Sequence, residues 1–94
     1  MPDSTASRDV KVVNEKGFHI RPAHLFMKLA TGFQADVKII NNNHIVDGKS
    51  MLDLLTLVAQ NGTTLTLKAS GSDAQAAIDA LAQLVEGGFG SMNE

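Results

Sequence analysis

Gly17-Phe18-His19-Ile20-Arg21-Pro22-Ala23 is where the chain changes period. Before it, residues 8–13 (RDVKVV) are β-branched and partly alternating, the pattern of a strand. After it, Ala23, Phe26, Met27, Ala30 and Phe33 recur at spacings of three and four, with Leu25 and Leu29 beside them. That is the pattern of a helix with one apolar face. Proline is accepted in the first turn of a helix, where its missing N–H would have had no partner. The stretch therefore predicts a turn closed by Gly17 and a helix opening at Ile20, with His19 at its mouth. N–H groups of a first helical turn point outward and favour anions. Arg21 adds a permanent charge whose fork geometry suits phosphate. His19 adds an imidazole that switches charge near neutral pH and is nucleophilic when neutral. These three features describe a place that could take up a phosphoryl group and hold it.

Downstream, Gly32 suits a helix stop. Residues 35–40 (ADVKII) alternate, with Ala35, Val37 and Ile39 on one face, and predict a half-buried strand. Asn41-Asn42-Asn43 predicts a hairpin turn, because Asn tolerates left-handed backbone, into a short strand from His44 to Asp47. His44 is expected on the wet face of that hairpin. Ser50 precedes Met51-Leu52-Asp53-Leu54-Leu55, with Asp53 three residues on. This resembles a capping box with Asp in place of Glu and predicts a short helix to Val58. Asn61-Gly62 turns the chain, and residues 63–69 (TTLTLKA) alternate with Leu65, Leu67 and Ala69 inward. Asp73 is placed to cap a last helix over residues 74–86, where Ala77, Ile78, Leu81, Leu84 and Val85 form one stripe. Gly87 and Gly88 end it.

The resulting order is βαββαβα, with strands apolar on one face only. That predicts an α+β fold in which an antiparallel sheet has one side covered by helices and the other open to water. Residues 1–7 and 89–94 are small and mostly polar and read as a disordered N-terminal tail and a flexible C-terminal tail, leaving 8–88 as one domain.

The chain has 94 residues, 44% hydrophobic and 19% charged, the balance of a soluble globular domain. Its net charge of −2 and lack of a basic run argue against nucleic acid as a partner, since that binding rests on Lys and Arg against phosphates. Four Phe with no Trp or Tyr offer little for base stacking. The absence of Cys excludes disulfides and thiolate metal sites and is compatible with a cytoplasmic location. No apolar run is long enough to span a bilayer, so no membrane role is expected. His19 and His24 are five apart, off the i, i+4 spacing of helical metal pairs, so neither metal nor cofactor is expected.

The segment Gly17 to Ala23 resembles the active-centre signature of the HPr family, the histidine-containing phosphocarriers of the bacterial phosphoenolpyruvate-dependent phosphotransferase system. Gly48-Lys49-Ser50-Met51-Leu52 resembles the family's second signature, around a serine. The two are correctly spaced without an insertion, and the likeness runs from about Val10 to Glu86. The resemblance implies an open-faced β-sandwich: a four-stranded antiparallel sheet under three helices. It implies that His19 accepts a phosphoryl group on Nδ1 from enzyme I and passes it to an enzyme IIA protein, with Arg21 stabilising the phosphate. The chain would then be a monomeric, stoichiometric carrier and not an enzyme. Ser50 matches a serine that HPr kinase/phosphorylase modifies in some bacteria. Ile20, His24, Lys28, Met51, Leu52 and Leu55 fall where the family docks its partners. Ile20 replaces the small residue usual after the histidine in the sugar-transport branch, and no glycine stands near Val58. The run over residues 48–55 (GKSMLDLL) more closely resembles the nitrogen-related or alphaproteobacterial branch.

Plainer readings exist for the same residues. Arg21 could be a solvated surface charge. An N-cap serine needs no regulatory explanation. Met51, Leu52 and Leu55 at helical spacing are more often core than interface. A regulatory binding module acting through phosphorylation of Ser50 is the alternative function.

Overall fold

Alternation decides the sheet. In a computed structural model, which describes residues 4–91, β1 (Thr5–Lys11), β2 (Asp36–Asn41), β3 (His44–Asp47) and β4 (Thr64–Ser70) form one antiparallel sheet. The strand order is β1-β4-β2-β3, so the last strand inserts between the first and second. Side chains on a strand point alternately to opposite faces. Val10, Val37, Ile39, Val46, Leu65 and Leu67 therefore gather on one face, and all are buried. Asp9, Thr66, Lys38 and Lys68 fall on the other, where the Thr66 hydroxyl donates to the Asp9 carboxylate across the β1–β4 pair at 2.7 Å.

Three helices close the apolar face: α1 (Ile20–Thr31), α2 (Met51–Leu55) and α3 (Ala74–Glu86). Their buried stripes are Ala23, Phe26 and Ala30 on α1, Leu54 on α2, and Ala77, Ile78, Leu81 and Val85 on α3. Each fully buried large aliphatic or aromatic residue stabilises by roughly 1.5–3 kcal/mol relative to exposure, so this stripe matching sets the fold. α2 packs beside α1 and α3 packs over β1 and β4. The architecture is the open-faced α+β sandwich expected.

Several boundaries move. β1 begins at Thr5, so residues 5–7 are not a tail: Thr5 pairs with Ser70, Ala6 with Ala69 and Ser7 with Lys68. β4 is long enough to offer them backbone partners, and a ladder needs no apolar side chain at its wet end. Residues 1–3 of that expected tail, and 92–94 of the C-terminal one, lie outside the described residues. The C-terminal expectation also fails at residues 89–91, which with Gly88 form one further turn, α4 (Gly88–Ser91), with Phe89 buried at 3% exposure. Gly88, Phe89 and Gly90 all have positive φ, so the turn is left-handed, which the flanking glycines permit. α2 stops at Leu55 and not at Val58, because Val58 itself is left-handed at φ 49°.

Two polar residues take unexpected positions. His44 lies on the helix side of the sheet, in step with Val46, and its Nε2 is 2.8 Å from the Thr56 hydroxyl just past α2. Asp73 stands at the N-cap of α3 but makes no side-chain cap bond. Its carboxylate instead reaches across the chain and accepts the N–H groups of Gln34 at 2.9 Å and Ala35 at 2.8 Å. Nearby, Lys49 Nζ donates to the Phe33 carbonyl at 2.8 Å. These bonds tie the α1–β2 turn to the start of α3, through Asp73, and to the loop before α2, through Lys49. They hold the Asp73 carboxyl below its ordinary range, with the Gln34 N–H the largest cause, the Ala35 N–H and the Lys49 charge adding, and desolvation opposing.

Candidate phosphoryl-accepting site

The approach to His19 is built from backbone. The Gly17 N–H donates to the Asn14 carbonyl at 3.1 Å, and the buried Asn14 amide returns a bond to the Gly17 carbonyl. Gly17 has φ 71°, and a Cβ there would sit 2.8 Å from Gln60 Cα, so only glycine lets this loop lie against residues 59 and 60. The next N–H, of Phe18, donates to the Ala59 carbonyl at 2.7 Å. The Phe18 ring is buried and meets two others edge-on: Phe26 at 5.9 Å and 61°, and Phe89 at 5.6 Å and 83°. Aromatic pairs in such geometry add roughly 0.5–1.5 kcal/mol beyond area burial. Phe18 is thus fixed by one hydrogen bond and two ring contacts.

His19 follows directly. Its backbone is extended (φ −135°, ψ −160°), it is the N-cap of α1, and its carbonyl accepts the Ala23 N–H at 2.8 Å. The half-buried imidazole is not used as a helix cap. The first turn of α1 contains no acidic residue, so no side chain of that turn offsets the positive end of the helix dipole. Arg21, second in the helix, is exposed. Pro22 is buried in the same turn, where it needs no hydrogen-bond partner.

The expected docking residues divide. Ile20, His24 and Lys28, four apart and on one line of α1, are all exposed, Ile20 at 65%. Leu52 is 80% exposed and Leu55 43%, so both are surface and not core. Met51 is half-buried and packs against the core, which makes it the least available of the three. Because α2 lies beside α1, these apolar side chains occupy adjoining helices. Val58, 72% exposed, extends the apolar surface after α2.

Ser50 is the N-cap of α2, and its Oγ accepts the Asp53 N–H at 3.2 Å. Only this half of the capping box forms. The Asp53 carboxylate accepts the Asp47 N–H at 3.0 Å instead, while the Asp47 carboxylate accepts the Lys49 N–H at 3.0 Å. Ser50 is therefore flanked by two carboxylates engaged with backbone.

The residues that pack around His19 leave little trace in the sequence. Phe18 carried a weak signal, an aromatic inside a polar turn. Asn14, Ala59 and Phe89 carried none, because their roles depend on a carbonyl or on contacts between distant segments.

A family model described as the PTS HPr component phosphorylation site matches residues 6–87. The phosphocarrier protein HPr of Cupriavidus necator is 39% identical over 83 residues, covering 88% of this chain and 93% of that protein. The phosphocarrier protein NPr of Shewanella violacea is 38% identical over 82 residues, covering 87% and 90%. A crystal structure of HPr-C-His from Thermoanaerobacter tengcongensis superposes with a TM-score of 0.88 at 32% identity, covering 93% of this chain and 98% of that one. With most of its length matched by model, sequence and structure alike, the chain belongs to the HPr family of phosphotransferase-system phosphocarriers.

Proposed function

We propose that His19 is the phosphoryl acceptor and donor, receiving the group from enzyme I and delivering it to an enzyme IIA protein. The observation that carries this reading is His19 at the N-cap of α1, with the first helical turn free of acidic side chains. In the forward step the Nδ1 lone pair forms the N–P bond while the bond from phosphorus to the donor breaks. Phosphoryl transfer asks for in-line positioning and charge stabilisation more than covalent help. The helix N-terminus and the Arg21 guanidinium supply that stabilisation. An anion at a helix start gains typically 0.3–1 kcal/mol, and up to about 2 kcal/mol when partly buried. That modest gain suits a carrier that must release its cargo. The reverse step breaks the same bond toward the next acceptor, so the protein is a stoichiometric carrier and not an enzyme.

Ile20, His24, Lys28, Leu52 and Leu55, with Met51 at the edge, form the surface on which both partners dock in turn. Ile20 beside His19, and a valine at position 58, favour a nitrogen-related enzyme IIA over a sugar permease component. We take a monomer as the working form, since His19, Arg21 and the first turn of α1 all come from one chain. No described helix is long and apolar enough to cross a membrane, and we place the carrier in the cytoplasm with its partners. The alternative, regulation through phosphorylation of Ser50 by HPr kinase/phosphorylase, is weakened by the hydroxyl's part in the α2 cap and by the Asp47 and Asp53 carboxylates beside it. The test is incubation with phosphoenolpyruvate and enzyme I. An acid-labile, base-stable phosphate absent from His19→Ala supports the reading; no labelling of the wild-type chain overturns it.

A further inference from the structure

We propose that Phe89 is a positioning residue for His19, acting through Phe18; the inference rests on the reading of His19 as the phosphoryl acceptor. Phe89 lies seventy residues from His19 in sequence (89 − 19) and beyond the last regular helix, yet it is 3% exposed. Its ring meets that of Phe18 at 5.6 Å and 83°. To reach that place the chain takes three consecutive left-handed residues, Gly88, Phe89 and Gly90 at φ 68°, 59° and 77°. Left-handed backbone is costly for a residue with a Cβ, and it persists where the surroundings over-determine it. Here the buried ring contact does so. Phe18 is the only residue between Gly17, locked by its approach to Ala59 and Gln60, and His19 at the helix mouth. The Phe18 N–H is held by Ala59, Phe26 holds one side of its ring, and Phe89 holds another. Removing Phe89 leaves Phe18 a cavity to turn into, and the adjoining His19 backbone turns with it. The terminal turn thus sets the direction in which the imidazole is presented.

The experiment compares the full-length wild-type chain with Phe89→Ala and, as a milder change that keeps apolar volume but removes the ring edge, Phe89→Leu. Ile78→Ala serves as a control for lost stability: it is buried on α3 about 12 Å of helix away from Glu86, the end nearest Phe89. Two readouts are taken, the ring resonances of His19 by NMR and the initial rate of His19 phosphorylation by phosphoenolpyruvate and enzyme I. Misplacement of a reacting atom costs rate steeply, so the rate should fall roughly tenfold or more in Phe89→Ala and less in Phe89→Leu. The His19 resonances should shift in both, while Ile78→Ala leaves both readouts as in wild type. Wild-type resonances and rate in a folded Phe89 variant overturn the inference, as does an equal change in Ile78→Ala. If the wild-type chain takes up no phosphate, the proposed function fails, and the resonances still decide whether Phe89 positions His19.

Discussion

Phe18 hangs from Ala59: its N–H donates to the Ala59 carbonyl at 2.7 Å, and the chain reaches that bond only because Gly17 lies against the same backbone. Gly17→Ala would force a Cβ into Gln60 Cα and hold a left-handed φ with a side chain. A strained residue of this kind costs of order 1–3 kcal/mol, before the clash is counted. Denaturant unfolding should show a loss at the upper end of that range. His19 phosphorylation should fall further than the stability loss alone accounts for.

Val58 is the opposite case. It is β-branched, left-handed at φ 49° and 72% exposed, so nothing in the core requires its side chain. Left-handed backbone costs a non-glycine residue about 1–2 kcal/mol. Glycine returns roughly 0.5–1 kcal/mol of that through unfolded-state entropy. Val58→Gly should therefore raise stability by about 0.5–1 kcal/mol in denaturant unfolding. An unchanged or lower midpoint contradicts this account of the strain.

Leu52 and Met51 are neighbours with different jobs. Leu52 is 80% exposed, whereas Met51 packs against the core. Leu52→Glu should weaken enzyme I and enzyme IIA binding, read by calorimetry, and leave the unfolding midpoint in place. Met51→Glu places a charge against apolar neighbours and should lower the midpoint as well.

The Asp73 clamp predicts a pH signature. A carboxyl whose folded-state pKa is lowered stabilises fully above its unfolded pKa, and that stability fades as pH falls through the folded value. Asp73→Asn offers one acceptor oxygen but turns an NH2 toward the second N–H. Its melting temperature should lie below wild type at a constant offset from about pH 5 to 8, and the offset should shrink below about pH 4. A constant offset at all pH values would show that charge plays no part in the clamp.

The elements with a clear period were legible in the sequence. Alternation at Leu65, Leu67 and Ala69 and the stripe from Ala77 to Val85 each depend on local spacing, and local spacing is what a sequence displays. The place of His19 at the start of α1 was legible for the same reason, since Pro22 and the onset of helical period locate the helix mouth. The misreadings share a different cause. Thr5 to Ser7 pair through backbone, which carries no side-chain signature. Phe89 is buried against Phe18, and Asp73 bonds to Gln34 and Ala35, partners that only the tertiary structure brings near. His44 and Val58 are surface residues whose direction is set by the α2 turn. Local spacing put each of them in a plainer place: a tail, a helix cap, a wet strand face or a helix end.

The most direct test of the central claim follows one phosphate through His19. The chain is charged with radiolabelled phosphoenolpyruvate and enzyme I, freed of enzyme I, and mixed with a purified enzyme IIA. Label should appear on wild type as a single acid-labile phosphohistidine at His19, then move to enzyme IIA, with none on His19→Ala. Label that stays on His19→Ala, or that never leaves the wild-type chain, would contradict the account.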